Sequence, residues 1–157
     1  MTVSSNSANN LWFLNTFVTI RVSESAGQDH ISILEHRAPH RDSPPLHIHH
    51  TEDEIFHVLE GEFLFKIDNQ EHRLGAGQFI LAPKGIPHQY LVESAQGGRW
   101  QTITVPGDFE RFVRVMARPA ERLELPEPAE APSPEAVKAL METAAQYGIE
   151  IIGPPLH

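Results

Sequence analysis

Short runs of aromatic and β-branched residues, each closed by a turn former, follow one another from residue 10 to residue 105. Residues 10–22, 31–35, 55–59, 62–67, 79–82, 88–93 and 100–105 read as strands. Gly61 bends the chain between two of them, and Asp68-Asn69 suits a hairpin turn. Pro83-Lys84-Gly85 and Gly97-Gly98 separate the later ones. Many short strands with this punctuation predict a β-sandwich or barrel. At 157 residues the chain holds one such domain with a proper core, not two.

After Gly107 the period changes. Phe109, Phe112, Val113 and Met116 recur at helical spacing, with Asp108 as the expected N-cap, predicting a helix over about 108–117. A linker dense in Pro and Glu occupies 118–133. A second helix is expected over about 134–147, with Ser133 as N-cap, Pro134 in the first turn and Gly148 at its end. Val137, Leu140, Met141 and Ala144 form its stripe, and residues 149–152 suit a short closing strand. The expected organisation is a loosely ordered segment over 1–10, a β domain over 11–107 and an extension over 108–157.

Composition excludes several functions. A formal charge of −9 argues against nucleic acid and anionic membrane surfaces, which select Lys and Arg clusters. The absence of cysteine removes disulfides, thiolate zinc sites, iron–sulfur clusters and a Cys nucleophile. Residues 1–10 lack the basic-then-apolar pattern of a signal peptide, and no apolar run reaches the length of a membrane span. The expectation is a soluble cytoplasmic protein whose partner is a small molecule.

The chemistry concentrates in four residues. His47 and His49 are two apart, so on a strand they share a face. Glu54 follows a short acidic connection, and His88 comes after the Pro83–Pro87 turn segment. Three imidazoles and a carboxylate suit one divalent transition metal per chain: Fe, Mn, Ni, Co, Cu or Zn. Glu52 and Asp53 are alternative carboxylates if the turn shifts by a residue. His50 alternates away from the pair and suits a solvated rim; His57 alternates away from Glu54 and suits packing or the surface. His30, His36, His40, His72 and His157 receive no role. Phe56 and Val58 are in phase with Glu54, and Tyr90 and Val92 with His88. They are the candidate substrate contacts of a mostly apolar cavity suited to an aromatic or other apolar molecule that offers oxygen to the metal. Simple barrel filling is the competing reading.

The spacing resembles that of the cupin superfamily. His47, His49, Glu54 and Gly61 match its first motif, and Gly77, Pro83, Gly85 and His88 its second. Arg41 and Val92 depart from the pattern, standing where relatives carry Gly and Asn, and His57 stands where relatives often carry Tyr. The resemblance implies an all-β, double-stranded β-helix (a cupin jelly-roll barrel) with a C-terminal helical extension and the metal inside. It also favours Glu54 over its acidic neighbours as ligand. Residues 114–156 resemble the extension of quercetin-dioxygenase-like cupins. That implies a dioxygenase acting on a small aromatic or enol-type substrate, with Glu54 as both ligand and catalytic base. Two alternatives stay open: an isomerase, lyase or cyclase using the metal as a Lewis acid, and a non-catalytic binding protein. Ile55 and Leu59 fall opposite Glu54 on an outer apolar face, so a homodimer is expected, with the N-terminal strand a candidate for exchange.

Overall fold

In the computed structural model, which describes residues 7–157, the short runs pair into two antiparallel sheets. A 3-10 turn, Ser7–Asn9, leads into β1 (Asn10–Phe13) and β2 (Thr16–Val22). The sequence predicts a single strand over 10–22. Instead Leu14 takes a positive φ of 54° and β1 folds back on β2. Both halves are apolar, so the periodicity does not reveal the break. Loose order is expected through residue 10, yet residues 7–10 are turned or paired; residues 1–6 lie outside the described residues.

The barrel strands follow as β3 (Ser32–Ala38), β4 (Leu46–His49), β5 (Asp53–Glu60), β6 (Phe63–Ile67), β7 (Gln70–Leu74), β8 (Phe79–Ala82), β9 (His88–Val92) and β10 (Gly98–Val105). Helix α1 (Asp108–Met116), a two-residue β11 (Arg118–Pro119), helix α2 (Pro134–Gln146) and β12 (Ile149–Gly153) complete the chain. One sheet runs β11-β1-β2-β3-β10-β5-β8 and the other β12-β4-β9-β6-β7. This is the expected jelly-roll. β7 carries no apolar signal because it is an edge strand, solvated at four of its five residues. No helix among the described residues is long and apolar enough to cross a membrane.

Alternation sets the core. On β5, Glu54, Phe56 and Val58 are buried while Ile55, His57 and Leu59 are only half covered. Phe56 and Val58 meet Phe63, Phe65, Val92 and Trp100 in the main core cluster. Gly98 opens β10 because a Cβ there would lie 2.5 Å from the Phe63 ring. A second layer joins Phe112 of α1, Ala144 of α2 and Ile149 of β12, so the extension packs on one end of the barrel. Through β12 it also pairs with β4, the strand that carries His47 and His49.

Ser133 caps α2 as expected, accepting from Ala136 N–H at 3.1 Å, and Gly148 follows the helix with φ 73°. The cap of α1 differs from expectation. Gly107 holds the N-cap position and Asp108 is already helical. The Asp108 carboxylate instead takes bonds from Thr51 Oγ1 (2.6 Å) and Arg111 (2.7 Å). The donors at the helix start go to Glu52, described below.

Glu110 ties α1 to the barrel. Burial would raise its pKa, but bonds from Ser32 Oγ (2.7 Å), Glu24 N–H (2.8 Å), Ser23 Oγ (2.8 Å) and Arg114 Nε (3.0 Å) hold it below the ordinary carboxyl value. A lowered native pKa means that the unfolded chain binds the proton more readily. Glu110 therefore contributes its full stabilisation above the ordinary carboxyl pKa and loses it as pH falls through the native value. Glu110→Gln is expected to shift the acid-unfolding curve and weaken its dependence on pH below about pH 4.5. Denaturation at stepped pH checks this; an unchanged acid limb contradicts it.

Candidate metal centre

Strand register assembles the four residues. β4 pairs with β9 through His47 and His88, and Glu54 enters from β5 in the facing sheet. One ligand atom from each of His47, His49, Glu54 and His88 lies within 4.8 Å of the others. His49, Glu54 and His88 are buried and His47 is half covered. The tautomers of two rings follow from the backbone. His47 Nδ1 lies 2.7 Å from Pro45 O and His88 Nδ1 lies 3.2 Å from Ile86 O. A carbonyl only accepts, so both Nδ1 atoms carry the proton and both Nε2 atoms turn toward the cluster, His88 Nε2 meeting Glu54 Oε2 at 3.2 Å.

His49 is the informative member. Neither of its ring nitrogens has a hydrogen-bond partner, although the ring is 2% exposed. Nε2 is 3.0 Å from Glu54 Oε2, within ion-pair distance but without hydrogen-bond geometry. A buried, unpartnered imidazole is costly unless something else satisfies it. A divalent cation fits this donor set and could be held by it.

Electrostatics agree. Burial would raise the Glu54 carboxyl, but the His49 and His88 rings beside it hold it well below the ordinary value. Burial opposes the charged form of His49 as well, yet Glu54 and Glu52 hold its pKa up to about 9. His47 drops to about 3, chiefly through burial and then through its neighbours His88 and His49. Glu54 is thus an anion at neutral pH and His47 a neutral donor, the states a metal selects, while His49 carries a proton in the metal-free site that a metal displaces on binding.

The three acids of the turn separate by direction. Glu52, 1% exposed, accepts from the N–H groups of Gly107 (3.0 Å), Asp108 (3.2 Å) and Phe109 (2.6 Å), and its Oε1 lies 3.8 Å from His49 Nδ1. It caps α1 and backs His49. Asp53 accepts from Lys84 N–H at 2.8 Å, outside the cluster. Only Glu54 enters it. His50 is exposed and pairs with Glu150, and His57 stacks on Phe79 with ring centroids 4.0 Å apart.

Beside the cluster lies a cavity of about 100 Å³. Of the four candidate contacts, Phe56 and Tyr90 line it; Val58 and Val92 do not. Their phase is right but their depth is wrong, since both are fully buried in the core beyond Tyr90 and Phe56. Several lining residues carry no role in the sequence reading. His36 is one; it lies 3.0 Å from Thr102 Oγ1 and stacks on Trp100. Burial lowers its pKa to about 4 against the pull of Glu54 and Glu35, so it is neutral. Its alternation with buried Leu34 and Ala38 was the signal. Asp42 on the 39–45 loop is another, and no periodicity marks it. Phe109, Phe112, Leu140 and Ala144 bring the extension into the wall. Arg41, standing at the usual glycine position, adopts φ 71°.

A family profile described as "Cupin domain" matches residues 33–105. The chain is 32% identical over 89 residues to quercetin 2,3-dioxygenase of Bacillus subtilis, covering 57% of this chain but only 26% of that enzyme. Among solved structures it resembles the polyketide cyclase RemF of Streptomyces resistomycificus (TM-score 0.52, 21% identity, 73% of this chain and 75% of that one). It also resembles the cupin domain of Schizosaccharomyces pombe Cnp3 (TM-score 0.55, 13% identity, 68% and 75%). At such identities the structures speak to the fold alone. Motif spacing, strand order and the domain match converge on a cupin domain over residues 33–105.

Proposed function

We propose that this cupin is a metal-dependent dioxygenase acting on a compact aromatic or enol-type substrate. One observation carries the reading: a four-donor His/Glu cluster stands on the wall of an apolar, aromatic-lined cavity. His47, His49, Glu54 and His88 would hold the metal, which when bound supplies one-electron chemistry with O2 that side chains lack. The chain's own residues do the rest. Glu54 accepts the substrate's hydroxyl or enol proton, an ordinary task for a carboxylate held ionised beside the reacting oxygen. Phe56, Tyr90, Phe109 and Trp100 exclude water and face an aromatic or apolar body. At about 100 Å³ the cavity is small beside the roughly 300–1,000 Å³ of pockets for drug-sized ligands, which favours a compact substrate over a flavonol.

The test is Glu54→Gln. The variant is expected to keep substantial metal and to lose substrate-dependent O2 uptake by about 100-fold or more, the usual worth of a positioned base. Unchanged turnover would remove Glu54 from the role. A Lewis-acid isomerase, lyase or cyclase is the second reading, favoured by the hydrogen bond between His88 Nε2 and Glu54 Oε2 (3.2 Å), a proton-transfer contact that needs no O2. The assembly we propose is a homodimer. Phe79 and Leu81, 60% and 48% exposed on edge strand β8, extend the outer face of Ile55 and Leu59.

A further inference from the structure

One polar pair stands on the cavity wall apart from the ligand cluster. Tyr90 Oη donates to Asp42 Oδ2 at 3.2 Å, and both side chains line the cavity. The backbone places them along β9. Val92 N–H donates to Asp42 O (3.0 Å) and Arg41 N–H to Val92 O (2.8 Å), so residue 42 lies level with Val92. His47, by contrast, pairs with His88. Four strand residues separate the two levels, about 13 Å at the usual rise. Tyr90 stands midway, with Phe56 and Trp100 as apolar wall beside it (ring centroids 6.4 and 4.9 Å away).

The fold has little use for this carboxyl. The 39–45 loop is held through its backbone, Asp42 N–H donating to Pro39 O at 3.1 Å as well as the two bonds to Val92. Yet a carboxyl on an apolar wall is costly unless donors reach it. Tyr90 satisfies one oxygen; Oδ1 has no protein donor among the described residues and is not sealed from water, which leaves it open to a ligand in the cavity. Burial pushes the Asp42 pKa up to about 6 against the Tyr90 bond, which lowers it, so at neutral pH the group is mainly an acceptor.

We propose that Asp42, steadied by Tyr90, is the distal anchor of the substrate, which rests on the metal-centre reading above. The substrate class is then a compact hydroxylated aromatic or enol. One oxygen faces His47, His49, Glu54 and His88, and a hydroxyl at the far end donates to Asp42 Oδ1. Asp42 is a specificity-determining residue and Tyr90 a positioning residue.

A matched pair of probes tests it. Kojic acid and allomaltol share one hydroxyketone and differ only in carrying a hydroxymethyl or a methyl group at the opposite end. Zinc-loaded protein, its metal content verified, is titrated calorimetrically with each. The wild type is expected to bind kojic acid about 10-fold more tightly, the scale of one hydrogen bond to a charged group. Asp42→Ala is expected to bring the two within about 2-fold and Tyr90→Phe to weaken the preference, both at full metal content. Asp42→Asn, which keeps the side chain's shape, guards against loss of the loop and is expected to reduce the preference too. Equal affinities in the wild type, or a preference that survives Asp42→Ala, overturn the anchor while leaving the metal-centre reading intact. Binding of neither probe to fully loaded protein overturns both.

Discussion

Replacing His49 by alanine is expected to empty the metal centre. His49 is the most committed of the four donors: 2% exposed, both ring nitrogens unpartnered, and 3.0 Å from the Glu54 carboxylate. Altering a group that merely orients a metal ligand costs about 10–100-fold in affinity, so deleting a ligand is expected to cost more than about 100-fold. Metal analysis of the purified variant, with a titration of added zinc, reads the effect directly. Thermal unfolding gives a second reading. A metal at 100 times its Kd stabilises the wild type by about 2.7 kcal/mol through mass action, and that increment disappears in the variant. Without metal the substitution also strips the buried Glu54 carboxylate of its nearest counter-charge, so the metal-free variant is compared with metal-free wild type to isolate the metal increment. Full retention of metal by His49→Ala sinks the site assignment.

Glu52→Ala is expected to be the most destabilising single change near the centre. Its carboxylate receives three N–H groups from the start of α1, at 3.0, 3.2 and 2.6 Å. Truncation removes the helix cap and leaves those donors in a closed space, at a cost of about 3–5 kcal/mol. That is a large share of the roughly 5–15 kcal/mol holding a domain together, and corresponds to a fall in Tm on the order of 10 °C. Glu52 also backs His49, with 3.8 Å between Oε1 and Nδ1, so metal affinity is expected to drop about 10-fold in protein that still folds. Urea unfolding of the metal-free variant separates the two effects. A loss below about 1 kcal/mol contradicts the capping role.

Glu52 also shows what a sequence can and cannot carry. Its neighbours Asp53 and Glu54 are chemically alike, and only the family spacing to Gly61 singles out Glu54. In the structure they diverge completely: one caps a helix, one holds a turn, one joins the imidazoles. The His47/His49 pairing is legible because a strand period of two is strict. The jelly-roll is legible because turn formers bound nearly every strand; the break at Leu14 escapes because both flanking runs are apolar. Phase along a strand tells which side chains turn inward, not how deep they sit. Hence Phe56 and Tyr90 reach the cavity while Val58 and Val92 fill the core behind it. The part of the wall drawn from far along the chain, Leu140 and Ala144 of α2 or Asp42 of an aperiodic loop, depends on tertiary packing that no local pattern encodes.

The most direct test of the central claim is oxygen uptake by metal-free protein reloaded separately with iron(II), manganese, cobalt, nickel, copper and zinc. Each form is offered a compact enol, pentane-2,4-dione, and a flavonol. The expected result is uptake that requires both a redox-active metal and a substrate, faster with the compact enol. No uptake with any metal at confirmed loading contradicts the dioxygenase reading and moves the centre to Lewis-acid chemistry on the same four ligands.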